Sequence, residues 1–323
     1  MIQIYGAGVA GTFLYYILTK NGYRCSIFDF RKSPDCRCGW GIAYKEAKDL
    51  YSEIDLDLDE FILTVPEKVF VNGVEFKNRG IAIFDKIGLL SELWKGFVFR
   101  EENAKIIVDA TGSSRAFLPK IDGDRVVPTL QFKERQRIDE NIYIYFERHG
   151  YAWAFPLGDE WHIGAGSVCE EKIPYLIKKL RQSYGLEEAE SSCSCRAKIR
   201  MLPPSRCKPF VSNNIVGVGE AIGCVSGAGE GNVPALKSAK ILFQCLENLE
   251  EYEKRILKEL GWIEREQKFL DSVLRGFPAF HLLFRIIPHE SKRLVRHSIF
   301  DFLRIFIAGK TSPLRVGMES LNK

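Results

Sequence analysis

Gly6, Gly8 and Gly11 constrain this chain more than any other feature. A short apolar run (Ile2, Ile4) enters the glycines, and a helical apolar pattern (Val9, Phe13, Leu14, Ile17, Leu18) leaves them. A second apolar run, Cys25 to Phe28, ends in Asp29. Strand, Gly-x-Gly-x-x-Gly turn, helix, strand and acid follow in the order that a dinucleotide site requires. Gly6 permits the tight turn, Gly8 lets the backbone approach a pyrophosphate, and Gly11 lets helix pack on strand. The helix N-terminus then offers free N–H groups to the anion. Asp29, 18 residues after Gly11, stands where a carboxylate accepts from ribose hydroxyls.

The chain's 323 residues and 46% apolar content support one large domain or two closely joined ones. A net charge of +4 gives no argument for a nucleic-acid partner. No apolar run reaches the length of a membrane span. Residues 2–18 lack the basic start of a signal peptide, and glycines interrupt them. Nine cysteines without a secretory signal point to a reducing, cytoplasmic setting.

Helical and strand patterns alternate along the chain, which predicts an α/β fold. Residues 60–84 read as strands around the turn Asn72-Gly73, and residues 85–95 as a short helix. Ile106 to Val108 form a buried strand that runs into Asp109-Ala110-Thr111-Gly112. Residues 126–168 are rich in β-formers, and residues 172–184 look helical. Ile215 to Val218 read as another buried strand, entering a second Gly-rich turn that ends Gly229-Glu230-Gly231. From about residue 233 the patterns are mostly helical. The expected organisation is a discontinuous nucleotide-binding domain (1–59, 85–118, 206–248). A β-rich substrate domain (60–84, 119–205) interleaves with it, and a helical segment (249–323) closes the chain.

Several stretches together resemble the geranylgeranyl reductase family of FAD-dependent oxidoreductases, which have the para-hydroxybenzoate-hydroxylase fold. They are Gly6-x-Gly8-x-x-Gly11 with Asp29; Cys38-Gly39-Trp40-Gly41; Arg79 followed by Phe84-Asp85; Asp109-Ala110-Thr111-Gly112 with Arg115; and the turn from Gly219 and Glu220 to Gly229-Glu230-Gly231. The segment 151–156, with Tyr151, Trp153 and Phe155, is similar to a further family motif, closing with Gly164-Ala165-Gly166. Relatives usually carry Asp where this chain has Glu220, and residues 95–107 are shorter than usual in the family. The resemblance implies a Rossmann-like FAD-binding domain interleaved with a β-sheet substrate domain. It also implies that Gly6, Gly8, Gly11, Asp29, Cys38, Gly39, Arg79, Thr111, Gly112, Gly219, Glu220, Gly229, Glu230 and Gly231 contact FAD.

The implied chemistry is reduction of carbon–carbon double bonds in a prenyl lipid or a similar apolar substrate. Tyr151, Trp153 and Phe155 alternate along one strand face and suit an apolar wall for such a chain; the same pattern also fits ordinary core aromatics. Cys38, between glycines, could donate a proton, touch substrate or simply pack. No second Gly-x-Gly-x-x-Gly unit is present, so electrons would come from ferredoxin, a reduced flavin or transiently bound NAD(P)H. A ring monooxygenase of the same fold, and a non-catalytic electron-transfer flavoprotein, are the competing readings. No metal site is expected: the spacing of Cys36-x-Cys38 and Cys193-x-Cys195 is not that of structural zinc, and the five histidines form no metal motif. Near the C-terminus, two apolar stretches flank the basic residues Lys292, Arg293, Arg296 and His297. This pattern fits peripheral contact with anionic lipid headgroups, and equally fits helices packed on the main body.

Overall fold

The computed structural model describes residues 1–35, 39–136, 139–276, 278–296, 300 and 304. Two sheets organise them. The first has five strands in the order Val211–Ser212, Ile215–Gly217, Ile106–Asp109, Ile2–Tyr5, Cys25–Phe28. The last four are parallel; Val211–Ser212 pairs antiparallel at the edge. The helix Val9–Lys20 packs on one face through Phe13 and Leu14; on the other, the buried polar pair Gln3 and Ser26 interrupts the apolar runs, Ser26 Oγ donating to Gln3 Oε1 at 2.7 Å. Ile4, Phe13, Leu14, Val108, Val216, Leu236 and Leu242 meet in a core that water does not reach.

The second sheet has eight strands: Ser191–Arg200, Val126–Glu134, Trp161–Ser167, Gly150–Pro156, Ile142–Glu147, Lys68–Val71, Val74–Asn78 and Val295–Arg296. It is antiparallel except where Ile142–Glu147 runs parallel to Lys68–Val71. One face packs against the amphipathic helix Ile173–Tyr184 through Tyr143, Tyr145, Trp161, Ile163, Leu176 and Leu180. The other face, carried by the alternate residues, turns toward the Gly-rich loops.

A small third sheet, Gly41–Ala43, Ile81–Phe84 and Ile62–Thr64, joins the two halves. Residues 60–84 are thus divided between two sheets. The hairpin at Asn72-Gly73 has positive φ at both residues (49° and 78°), the conformation that an Asn-Gly turn favours. The C-terminal segment is helical as expected over Leu249–Glu259, Trp262–Leu274 and Leu283–Arg293. It departs from expectation at Val295–Arg296, which adds an edge strand beside Val74–Asn78. No helix of the described residues is long and apolar enough to cross a membrane.

Candidate functional site

The first turn shows why its residues must be glycine. A Cβ at Gly6 (φ 102°) would lie 2.3 Å from the Ala110 carbonyl oxygen, and one at Gly11 would lie 1.9 Å from the Gly6 oxygen. At Gly8 a Cβ would meet nothing within 4 Å, so this is the open side of the turn. The helix Val9–Lys20 starts here with no side-chain cap and no acid in its first turn. Its N-terminus therefore keeps its partial positive charge facing that open side.

Asp29 closes the turn from behind. Its carboxylate accepts from Ala7 N at 2.7 Å and from the Arg31 guanidinium at 2.7 and 2.8 Å. Burial alone would raise its pKa, yet the hydrogen bonds from Arg31 and Ala7 hold it below the usual carboxylate range. Asp29 is thus ionised, and it is shared with Arg31, a partner that the motif did not reveal.

Asp109 shapes the neighbouring loop. One carboxylate oxygen accepts from Thr111 N and Thr111 Oγ1, the other from Phe117 N and Leu118 N. The chain can then turn through Gly112 (φ 66°) and Arg115 (φ 43°). The buried Arg115 guanidinium donates to the carbonyls of Pro119, Pro209 and Ala221, the last lying in the second Gly-rich turn. Gly219 (φ 66°) packs against Ala10 and Ala235 and donates its N–H to Ser238 Oγ at 2.8 Å. The two glycine turns are in this way locked together across the C-terminal ends of the parallel strands.

Glu220 stands at this junction. Its Oε1 accepts from Arg200 N at 2.6 Å, and its Oε2 lies 3.5 Å from where a Gly112 Cβ would be. Burial pushes its pKa up to about 7 against the opposing pull of Arg200. Arg200, 2% exposed, binds Asp124 through two nitrogens at 2.8 and 2.9 Å and the carbonyls of Gly112, Ser113 and Glu220. No motif singled out Arg200; its only sequence signal is a basic residue at the end of an alternating strand.

The aromatic strand faces these loops. Tyr151, Trp153 and Phe155 share one face, with neighbouring ring centroids 5.5 and 6.4 Å apart. Tyr151 Oη would lie 2.1 Å from a Cβ at Gly229, and Phe155 rests against Gly39 and Gly41. Gly164 provides the slot for Trp153: a Cβ there would fall 2.4 Å from the indole. His162 accepts from Trp153 Nε1 at 3.1 Å and stacks with Trp40, centroids 5.8 Å apart. His162 is 1% exposed; burial, helped by Lys133 and Lys86, lowers its pKa to about 3.

Three of the residues singled out in the sequence have partners in the C-terminal segment. Arg79 lies at an exposed turn, donating its backbone N–H to Leu294 and its side chain to the Ser291 carbonyl at 3.5 Å. It is engaged with the C-terminal helix and touches neither glycine turn. Glu230 also faces that helix: its carboxylate binds the Arg293 guanidinium at 3.0 and 3.1 Å. Arg293, 8% exposed in its side chain, further pairs with Glu46 and Glu290, so it is not free to meet headgroups as part of the basic run. Folding also gathers Glu266, His289 and Glu290 to within 4.8 Å of one another, a grouping no spacing foretold. Arg293, Gly227 N and their mutual hydrogen bonds already occupy these groups. Cys38, and the apolar stretch beyond Arg296 except Phe300 and Arg304, lie outside the described residues.

No family model matches the chain. A protein of uncharacterised function from Methanocaldococcus jannaschii is 22% identical over 367 residues, covering 93% of this chain and all of that protein. Among solved structures, a geranylgeranyl bacteriochlorophyll reductase-like protein from Thermoplasma acidophilum superposes with a TM-score of 0.73. It is 17% identical, and the match covers 99% of this chain and 98% of that one. A variant of Klebsiella pneumoniae HpxO complexed with FAD gives a TM-score of 0.63 at 13% identity, over 93% and 98% of the two chains. The fold is therefore that of the FAD-binding oxidoreductases, with the Rossmann-like and β-sheet parts expected from the sequence.

Proposed function

We propose that this protein binds FAD non-covalently and reduces carbon–carbon double bonds of a prenyl-type, apolar substrate. The observation that carries the reading is the contact of the aromatic face with the second glycine-rich turn and with the Gly39–Gly41 stretch: Tyr151 against Gly229, and Phe155 against Gly39 and Gly41. An apolar wall beside a nucleotide cradle is what such a reaction needs.

The residues fit the cofactor. Gly8 leaves open space at an uncapped helix N-terminus, suited to a pyrophosphate. Asp29 offers a carboxylate to ribose, and Glu220 one to the sugar-alcohol chain. Bound FAD supplies a two-electron hydride from its reduced ring. Tyr151, Trp153 and Phe155 would exclude water and hold an alkene in an apolar setting. Peripheral contact with a membrane would use Phe284 (68% exposed) and Phe300 (72% exposed), with the exposed Arg285 and Lys292 for anionic headgroups.

Anaerobic reoxidation tests the reading. Dithionite-reduced, FAD-loaded protein should be reoxidised by geranylgeraniol, and the product should gain two hydrogens per double bond. Reoxidation only with oxygen and an aromatic substrate would assign the protein to monooxygenases instead.

A further inference from the structure

The eight-stranded sheet ends on one side in Ser191–Arg200, at ten residues the longest strand of the described chain. Its inner edge pairs with Val126–Glu134, with a bulge between Ser191 and Cys193. Its outer edge pairs with no described strand. The outer edges of the parallel sheet and the far edge of the antiparallel one are short or covered. Val211–Ser212 and Val295–Arg296 have two residues each. Cys25–Phe28 receives the Arg100 N–H on the Ile27 carbonyl at 3.1 Å.

Backbone direction shows what the open edge offers. Met201 N donates inward, to the Arg125 carbonyl at 2.9 Å, whereas Arg200 N donates outward, to Glu220 Oε1 at 2.6 Å. Hydrogen-bonding direction alternates along an antiparallel strand. The N–H and C=O groups of Ser194, Arg196 and Lys198 therefore point outward as well, and no backbone group of the described residues meets them. The side chains at Ser192, Ser194, Arg196 and Lys198 are exposed, whereas Cys193, Cys195, Ala197 and Ile199 are half-buried. A long edge of this kind is a template for a further strand.

Charge selects the occupant. Glu187, Glu188 and Glu190, all exposed, precede the strand, and Arg196 and Lys198 lie toward its end. An antiparallel copy of the same strand lays the basic end of each beside the acidic approach of the other. A parallel copy would set acid beside acid and base beside base. The bulge limits the registers that remain. Centring the pair on Arg196 would oppose two guanidinium groups; centring it on Ser194 opposes two hydroxyls and sets Ser192 across from Arg196.

We propose that the outer edge of Ser191–Arg200 is an interface for a second copy of this chain, the two strands pairing antiparallel about Ser194. The contact is isologous, so each hydrogen bond and each charge contact occurs twice. It joins the two antiparallel sheets into one continuous sheet. The interface goes beyond the flavin reading and does not depend on it.

Sedimentation equilibrium of the full chain, with FAD added, tests the proposal across protein and salt concentrations. A reversible monomer–dimer equilibrium is expected, weakening as salt rises. Ser194→Pro removes an N–H that faces away from Val126–Glu134, a position where an edge strand tolerates proline. It should weaken the dimer at least about tenfold, through the loss of two symmetry-related hydrogen bonds. Lys198→Glu should weaken it about fivefold, and adding Glu188→Lys and Glu190→Lys should restore it. Hydrogen exchange at Ser194, Arg196 and Lys198 should be slow in the dimer and fast on dilution. If Ser194→Pro does not fold, the exposed charge variants and the exchange rates carry the test. A protein that stays monomeric up to its solubility limit would overturn the proposal. So would a dimer unchanged in Ser194→Pro and in Lys198→Glu, which would form through another surface. Slow exchange of these amides in the monomer would also overturn it, because the edge would then be covered by other means.

Discussion

The parallel sheet and the inner face of the antiparallel sheet solve opposite problems. At the ends of the parallel strands, the chain satisfies itself. Asp109 receives four N–H or O–H donors, Arg115 reaches three carbonyls, and Arg200 ties Asp124 to three more. The open side at Gly8 and its helix terminus is left free. On the antiparallel face, by contrast, rings stack on glycine slots while Trp40 Nε1 and His162 Nε2 are buried without a hydrogen-bond partner among the described residues. A rigid, internally bonded cradle suits a resident cofactor. An apolar wall with unspent donors suits a ligand that comes and goes.

Substitutions should separate the two regions. The largest effect is expected at Gly11→Val. Its branched side chain would enter backbone already only 1.9 Å from a Cβ, so stability should fall by about 3 kcal/mol or more and FAD retention should be lost. Urea unfolding and flavin content measure both. Arg200→Met should cost about 2 kcal/mol, because it leaves the carbonyls of Gly112, Ser113 and Glu220 short of a donor. A midpoint within error of the parent would show that the two glycine turns hold without it. Asp29→Ala should weaken FAD about tenfold while sparing FMN, which lacks the adenosine ribose. Equal losses would mean that Asp29 serves only Arg31 and Ala7.

The most specific effect concerns pH. His162 has a folded pKa of about 3 against about 6.5 unfolded, so below pH 6.5 the unfolded chain binds more protons. Stability from this residue is complete above pH 6.5 and falls as pH drops toward 3, by about 1 kcal/mol per pH unit. His162→Phe should flatten that part of the stability curve. Glu220 works in the opposite sense: its pKa is raised, so its protonated form favours folding below pH 4.5, and that contribution is lost as pH rises through about 7. Glu220→Gln should remove the slope between those values.

The sequence was most legible where backbone geometry permits one residue type. Gly6, Gly11, Gly112 and Gly219 announce their turns because a side chain at each would meet backbone or a packed helix, or need a strained φ. The strands of the parallel sheet were legible from their short, mostly apolar runs, although Gln3 and Ser26 are buried polar members of two of them. Residues joined by register were harder to find. Lys133, Phe155 and His162 come from different strands, and pairing alone makes them neighbours. Arg79 and Glu230 lay within motif-like stretches, yet the C-terminal helix claims both through Ser291, Leu294 and Arg293. Such tertiary capture leaves no periodicity in sequence, and neither does the meeting of Glu266 with His289 and Glu290.

The central claim is that the locked glycine turns form a cradle for FAD. The direct measurement is flavin content, read by absorbance and by release on denaturation, before and after incubation with excess FAD. The account predicts one FAD per chain, bound non-covalently and lost in Gly11→Val. A protein that stays colourless and takes up no added FAD would contradict it.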